Sequence, residues 1–109
     1  MVLKPEVIKK FLAHFDYTQD KEAMQFQHLI LGSKRIEQLN NSILEAKHVT
    51  FVDLSNNNVV DISLLAQFTN LVKLNLSKNK IKNISVFNNE ENFQALRWLD
   101  LSNNKFNEL

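Results

Sequence analysis

The sequence predicts an α/β fold in which short parallel strands stack into a solenoid, with a helical cap at the N-terminal end. Three observations predict it. Residues 52–58 read VDLSNNN, 74–80 read LNLSKNK and 99–105 read LDLSNNK, so one phrase recurs three times in 109 residues. Around each phrase, apolar residues recur at fixed offsets, the signature of units that bury their apolar side only by stacking. Glycine and proline occur once each, at Gly32 and Pro5, while asparagine is abundant. A chain that turns this often without glycine must turn on asparagine, which tolerates unusual backbone angles and bonds to nearby peptide groups.

Taken in order, KPEVIKKFLAHF places Val7, Ile8, Phe11, Leu12 and Phe15 at helical spacing with Pro5 in the first turn, and predicts an amphipathic helix. TQDKEAMQF (18–26) predicts a short second turn. Residues 1–25 therefore read as a cap over the open end of the first coil; a membrane-surface helix is the alternative for this stretch. Residues 26–109 read as repeats that continue the same domain. The first copy is degenerate: Phe26, Leu29 and Leu31 are followed by Lys34 where asparagine is expected, then Ile36 and Leu39. Three regular copies follow. They are Val49, Val52, Leu54, Asn57, Val59, Ile62; Leu71, Leu74, Leu76, Asn79, Ile81, Ile84; and Leu96, Leu99, Leu101, Asn104, Phe106, Leu109. First positions lie 23, 22 and 25 residues apart.

Each L-x-L is a short strand with alternate side chains turned inward. Asn57, Asn79 and Asn104 follow it and turn inward as a ladder, each amide bonding to backbone of its own and adjacent coils. SILEAK (42–47) and SLLAQF (63–68) predict serine-capped helical turns on the return side. The last connection, NISVFNNEENFQ (83–94), is longer and predicts a protruding loop or a longer helix.

The pattern L-x-x-L-x-L-x-x-N-x-I-x-x-I resembles the leucine-rich repeat family, over residues 26–109. A period near 22 with I-x-x-I after the asparagine is similar to the phosphatase-regulator-like subclass. The resemblance implies a right-handed solenoid with its parallel sheet on the concave face, helical or 3-10 returns on the convex face, and an intracellular location, cytoplasmic or nuclear. The order LKPEVIKKF, then LILGSKRIEQL, then the repeats, is similar to the A-prime family of the spliceosomal U2 particle. That resemblance implies a scaffold holding an RNA-binding protein.

Composition and motifs argue against other classes. Thirteen basic and 12 acidic residues leave a net charge of +1, so no strong field favours nucleic acid or an anionic membrane. Cysteine is absent, which leans away from a secreted, disulfide-stapled domain. The N-terminus lacks a signal-peptide pattern, and no apolar run approaches the ~18 residues of a membrane span. His14, His28 and His48 have no metal-ligand spacing, and no nucleophile or phosphate-loop motif occurs. Asp53 and Asp100 share a repeat position two strands apart, roughly 10 Å, too far for a shared proton. No catalysis, cofactor or metal is expected. Three triplets, Asn40-Asn41-Ser42, Asn75-Leu76-Ser77 and Asn83-Ile84-Ser85, match the glycosylation pattern and read as coincidence.

The outward residues of the strands form rows across the concave face: His28, Phe51, Lys73, Trp98; then Ile30, Asp53, Asn75, Asp100; then the small residues Gly32, Ser55, Ser77, Ser102. Arg35, Lys78, Lys80 and Lys105 lie at the edge. Nothing in the repeat pattern requires an aromatic at positions 51 and 98, and exposed aromatics are favoured binding anchors. The expectation is a non-catalytic protein–protein interaction module that binds another protein through His28, Phe51, Asp53, Lys73, Asn75, Trp98 and Asp100. The third unit ends at Leu109 without a polar cap. This favours a structural N-terminal part of a longer repeat protein, or association through the C-terminal end.

Overall fold

The computed structural model describes residues 1–14 and 27–106; the second turn expected over 18–26, together with Phe15, Phe26 and Leu109, lies outside the described residues. Four parallel strands, β2 (Gln27–Ile30), β3 (Phe51–Asp53), β4 (Lys73–Asn75) and β5 (Trp98–Asp100), follow chain order across one sheet. The register sets Leu29, Val52, Leu74 and Leu99 side by side, so the inward leucine of each unit lies beside its equivalent in the next. Beyond the strands the coils stay paired: Leu31, Leu54 and Leu76 donate their backbone N–H to Asp53, Asn75 and Asp100 carbonyls at 2.7, 2.9 and 2.8 Å.

The core lies inside the coils. All six repeat positions of the first regular unit, Val49 to Ile62, are buried, as are Leu71, Leu74, Leu76, Asn79 and Ile81 of the second. The pattern weakens after that. Ile84 is 41% exposed, Leu99 37% and Phe106 39%.

The N-terminal cap differs from the expected helix. The helix, α1, spans only Pro5–Lys10, with proline in its first turn, Glu6 near its positive end and Lys9 and Lys10 near its negative end, as the helix dipole favours. It buries Ile8, and Leu3 just ahead of it is also buried. Phe11 then leaves the helical region, and Leu12–His14 form a strand, β1, antiparallel to β2. His14 is therefore on a strand, not on the cap helix. The edge of β2 explains the switch: unpaired strand groups need partners, and Ile30 N–H donates to the Phe11 carbonyl at 3.1 Å. A longer helix would leave that edge unpaired.

The returns are short 3-10 helices, Asn41–Ala46, Ser63–Gln67 and Ser85–Asn88. Serine does not cap them. Asn40 caps the first, accepting from Ser42 N–H at 2.9 Å. Asp61 and Asn83 accept likewise from Ser63 and Ser85 N–H, at 2.9 and 2.8 Å. A side-chain oxygen two residues ahead satisfies the same orphan donor with a rigid local ring. The longer last connection holds the shortest of the three helices. Its added residues form turns, fixed by Asn92 donating to the Val86 carbonyl at 2.9 Å and by the Phe87 and Phe93 rings at 4.8 Å.

The asparagine ladder is present. Asn57 accepts from Lys34 and Ile36 N–H at 3.0 and 2.9 Å and donates to Leu31, Leu54 and Ser55 carbonyls. Asn79 accepts from Val59 N–H and donates to Leu54, Leu76 and Ser77 carbonyls. Asn104 accepts from Ile81 N–H and donates to Leu76, Leu101 and Ser102 carbonyls. Every amide thus clamps its own turn and the preceding coil. The left-handed backbone of each turn falls one residue earlier, on Ser33, Asn56, Lys78 and Asn103, with φ of 56–59°. Asparagine suits that conformation; Lys78 and Ser33 adopt it where the ladder and coil pairing demand it. No helix among the described residues is long and apolar enough to cross a membrane.

Candidate protein-binding surface

The strand register builds the concave face row by row. His28, Phe51, Lys73 and Trp98 are direct cross-strand neighbours, as are Ile30, Asp53, Asn75 and Asp100. In the first row the His28 ring meets Phe51 edge-on, with centroids 5.2 Å apart. The Lys73 ammonium lies 5.2 Å from the Phe51 centroid and 4.7 Å from that of Trp98. A cation held between two ring faces is attracted by both, by about 0.5–1 kcal/mol each at exposed sites. Trp98 remains 43% exposed and Phe51 is half-buried. Neither ring is inside the solenoid.

The second row has a structural duty that the sequence reading missed. Asp53, Asn75 and Asp100 accept through Oδ1 from the N–H of Ser55, Ser77 and Ser102 at 2.9, 3.0 and 2.9 Å. The Ser77 and Ser102 hydroxyls add bonds of 2.7 and 2.6 Å to the same oxygens. The repeated D-L-S and N-L-S were the available signal: an Asx residue two places before serine forms such turns in both rows and returns. It also gives the three Asn-x-Ser triplets a physical role, since Asn40, Asn75 and Asn83 all accept from the serine that follows. Hydrogen bonds from the Ser102 hydroxyl, then its N–H, hold the Asp100 carboxyl below its ordinary range.

Burial, and then the nearby Lys73 charge, hold the His28 imidazole below its ordinary value. The folded protein therefore favours the neutral ring, and the unfolded chain takes up the proton first as pH falls below about 6.5. This contribution to stability is complete above that pH and is lost as the pH falls through the folded value. The urea midpoint is expected to decline across that window. His28→Gln should flatten this part of the profile; an unchanged slope would assign the effect to another group.

A concavity of about 490 Å³ lies at the N-terminal end of this face, where Phe11 and Leu12 meet Ile30. Sequence reasoning missed it because Phe11 reads as a core residue of a longer helix. Lys34, in place of the ladder asparagine, was the visible sign: its ammonium lies 4.5 Å from the Phe11 centroid. No group of three or more His, Cys, Asp and Glu residues among the described residues is placed to hold a metal ion.

Stacked coils with inward leucines, an asparagine at every turn and a parallel sheet along one side define a solenoid repeat protein. Residues 47–89 match the family described as leucine-rich repeats in two copies, and residues 95–109 match the leucine-rich repeat family as a single copy. These matches span more than half of the chain, which belongs to the leucine-rich repeat family. Among solved structures, a chain of the Drosophila melanogaster SNF/U2A' complex is similar, with a TM-score of 0.57 and 20% identity, covering 97% of this chain and 72% of that one. At that identity the likeness speaks for the fold. No curated protein matches the sequence.

Proposed function

We propose that this chain is a non-catalytic module that receives a partner protein on its concave sheet. The observation that carries the reading is the row in which Lys73 lies between the Phe51 and Trp98 rings, with Trp98 open to solvent. Aromatic anchors set on rigid strands meet a partner at low entropic cost, and such residues dominate interface energetics. Asp53, Asn75 and Asp100 hold one oxygen in their local turns; the rest of each polar head faces the partner. Residues 1–25 act as the cap and 26–109 as the repeat array of one domain, working inside the cell, in the cytoplasm or nucleus.

A second reading makes the chain a scaffold of the A-prime kind, with an RNA-binding protein as its partner. The likeness to a chain from the SNF/U2A' complex supports it, because it runs over 97% of the sequence and so includes the cap.

The test is capture from native extract by the wild-type chain and by Trp98→Ala and Phe51→Ala, followed by affinity measurement with the recovered protein. Each variant should retain its urea midpoint and weaken binding by at least about 2 kcal/mol. Recovery of an RNA-binding protein favours the scaffold reading, whereas recovery of a phosphatase favours another branch of the family. Equal affinity of both variants and wild type would remove the concave face from the account.

A further inference from the structure

The geometry points to the concavity at the capped end of the concave face as an anchor pocket for an acidic segment of the partner, one that presents an apolar side chain beside a carboxylate. This rests on the concave-face reading above and specifies the chemistry it recognises. The floor is apolar: Ile30, the outward residue of β2, is 37% exposed, and Phe11 lies beside it in the wall. Two cations flank the Phe11 ring, with Lys34 Nζ 4.5 Å and Lys10 Nζ 5.4 Å from its centroid. Among the described residues, no carboxylate forms an ion pair with either lysine.

Space in the pocket depends on Gly32. A Cβ there would sit 3.2 Å from Ser55 Oγ and 3.5 Å from Asp53 Oδ1, both lining groups. Any side chain there would crowd these two lining groups. Asp53 is the acidic residue of the wall. Its Oδ1 is held by Ser55 N–H at 2.9 Å, which leaves Oδ2 to accept an N–H from the occupant's backbone. The pocket thus offers an apolar floor, two cationic donors and one acceptor. That set fits an extended or helical protein segment with an acidic residue next to a leucine, isoleucine or phenylalanine. Nucleic acid would bring phosphates but no aliphatic group for Ile30.

The experiment selects a displayed library of random dodecamer peptides on the 109-residue chain, then measures a selected peptide by fluorescence anisotropy. Enriched peptides are expected to share an apolar residue within a position or two of Asp or Glu. Lys34→Glu and Lys10→Glu should each weaken the peptide by about tenfold or more, with unchanged urea midpoints. Lys34→Gln gives the same test, with a smaller loss, should the charge reversal not fold. Lys82→Glu, on the return side, serves as the control and should leave affinity unchanged. Selection without acidic enrichment, charge reversals within about threefold of wild type, or tighter binding of a dodecamer oligouridine would each overturn the proposal. Trp98→Ala separates the two readings. Loss of binding there with none at Lys34 or Lys10 leaves the concave face standing and removes the pocket; no loss at any of the three removes both.

Discussion

Leu76→Ala is expected to lower stability by about 2–5 kcal/mol, the range for buried leucine truncations. Leu76 is wholly buried, within a core that runs continuously from Leu3 to Ile81. Its backbone is committed as well: its carbonyl accepts from both Asn79 and Asn104 Nδ2, at 3.1 and 2.9 Å. The turn therefore cannot slide inward to fill the cavity without breaking two ladder bonds, which places the loss towards the upper end. Leu101 holds the same repeat position in the next unit but is only half-buried, so Leu101→Ala should cost distinctly less. Urea melts of the two variants give the comparison. Equal losses would mean that burial does not follow the repeat register.

Asn57→Ala should be the most damaging change in the ladder, at about 3 kcal/mol or more. Its amide oxygen accepts from two backbone donors of the preceding unit, Lys34 and Ile36 N–H, whereas Asn79 and Asn104 each accept from one. Alanine leaves both donors without a partner, and an orphaned buried group costs about 1–3 kcal/mol. Asn79→Ala should follow, with one orphaned donor, Val59 N–H, while the Leu54, Leu76 and Ser77 carbonyls each keep another donor. Asn104→Ala should cost least, because Asn104 is half-buried and water can replace part of its network. The order of urea midpoints decides; a melt in which Asn104→Ala is the worst of the three would refute the burial argument.

The repeat, its register and the ladder were legible in the sequence because each is a local rule repeated in place. An inward leucine at 54 implies one at 76, and the coil pairing enforces the match. The concave rows were legible for the same reason: once the strands are in register, His28, Phe51, Lys73 and Trp98 must be neighbours. The cap was legible only in part: its helix with Pro5 in the first turn was, and the strand that follows was not. Val7, Ile8, Phe11 and Leu12 fit a helical stripe, but a tertiary demand, the bare edge of β2, overrides local propensity and turns Leu12–His14 into a strand. The pocket at the capped end followed that change, since it needs Phe11 off the helix and beside Lys34. The return caps were misplaced for a simpler reason. Serine alone is a cap residue, but an Asx residue two places earlier supplies the oxygen while serine supplies the N–H.

The ladder amides bond to main-chain atoms alone. A coil therefore needs nothing from its neighbour's side chains at the turn beyond a backbone of the right shape. Units become interchangeable parts. Remove one whole copy, and Asn79 would face the Leu31 carbonyl and Ile36 N–H in the way that Asn57 does now. The inward leucines would still meet leucines. Length and curvature can then change by splicing copies in or out, while the outward rows vary freely from copy to copy. The scaffold is permissive in number and strict in phase: a deletion that is not a whole repeat would break the amide match at its junction.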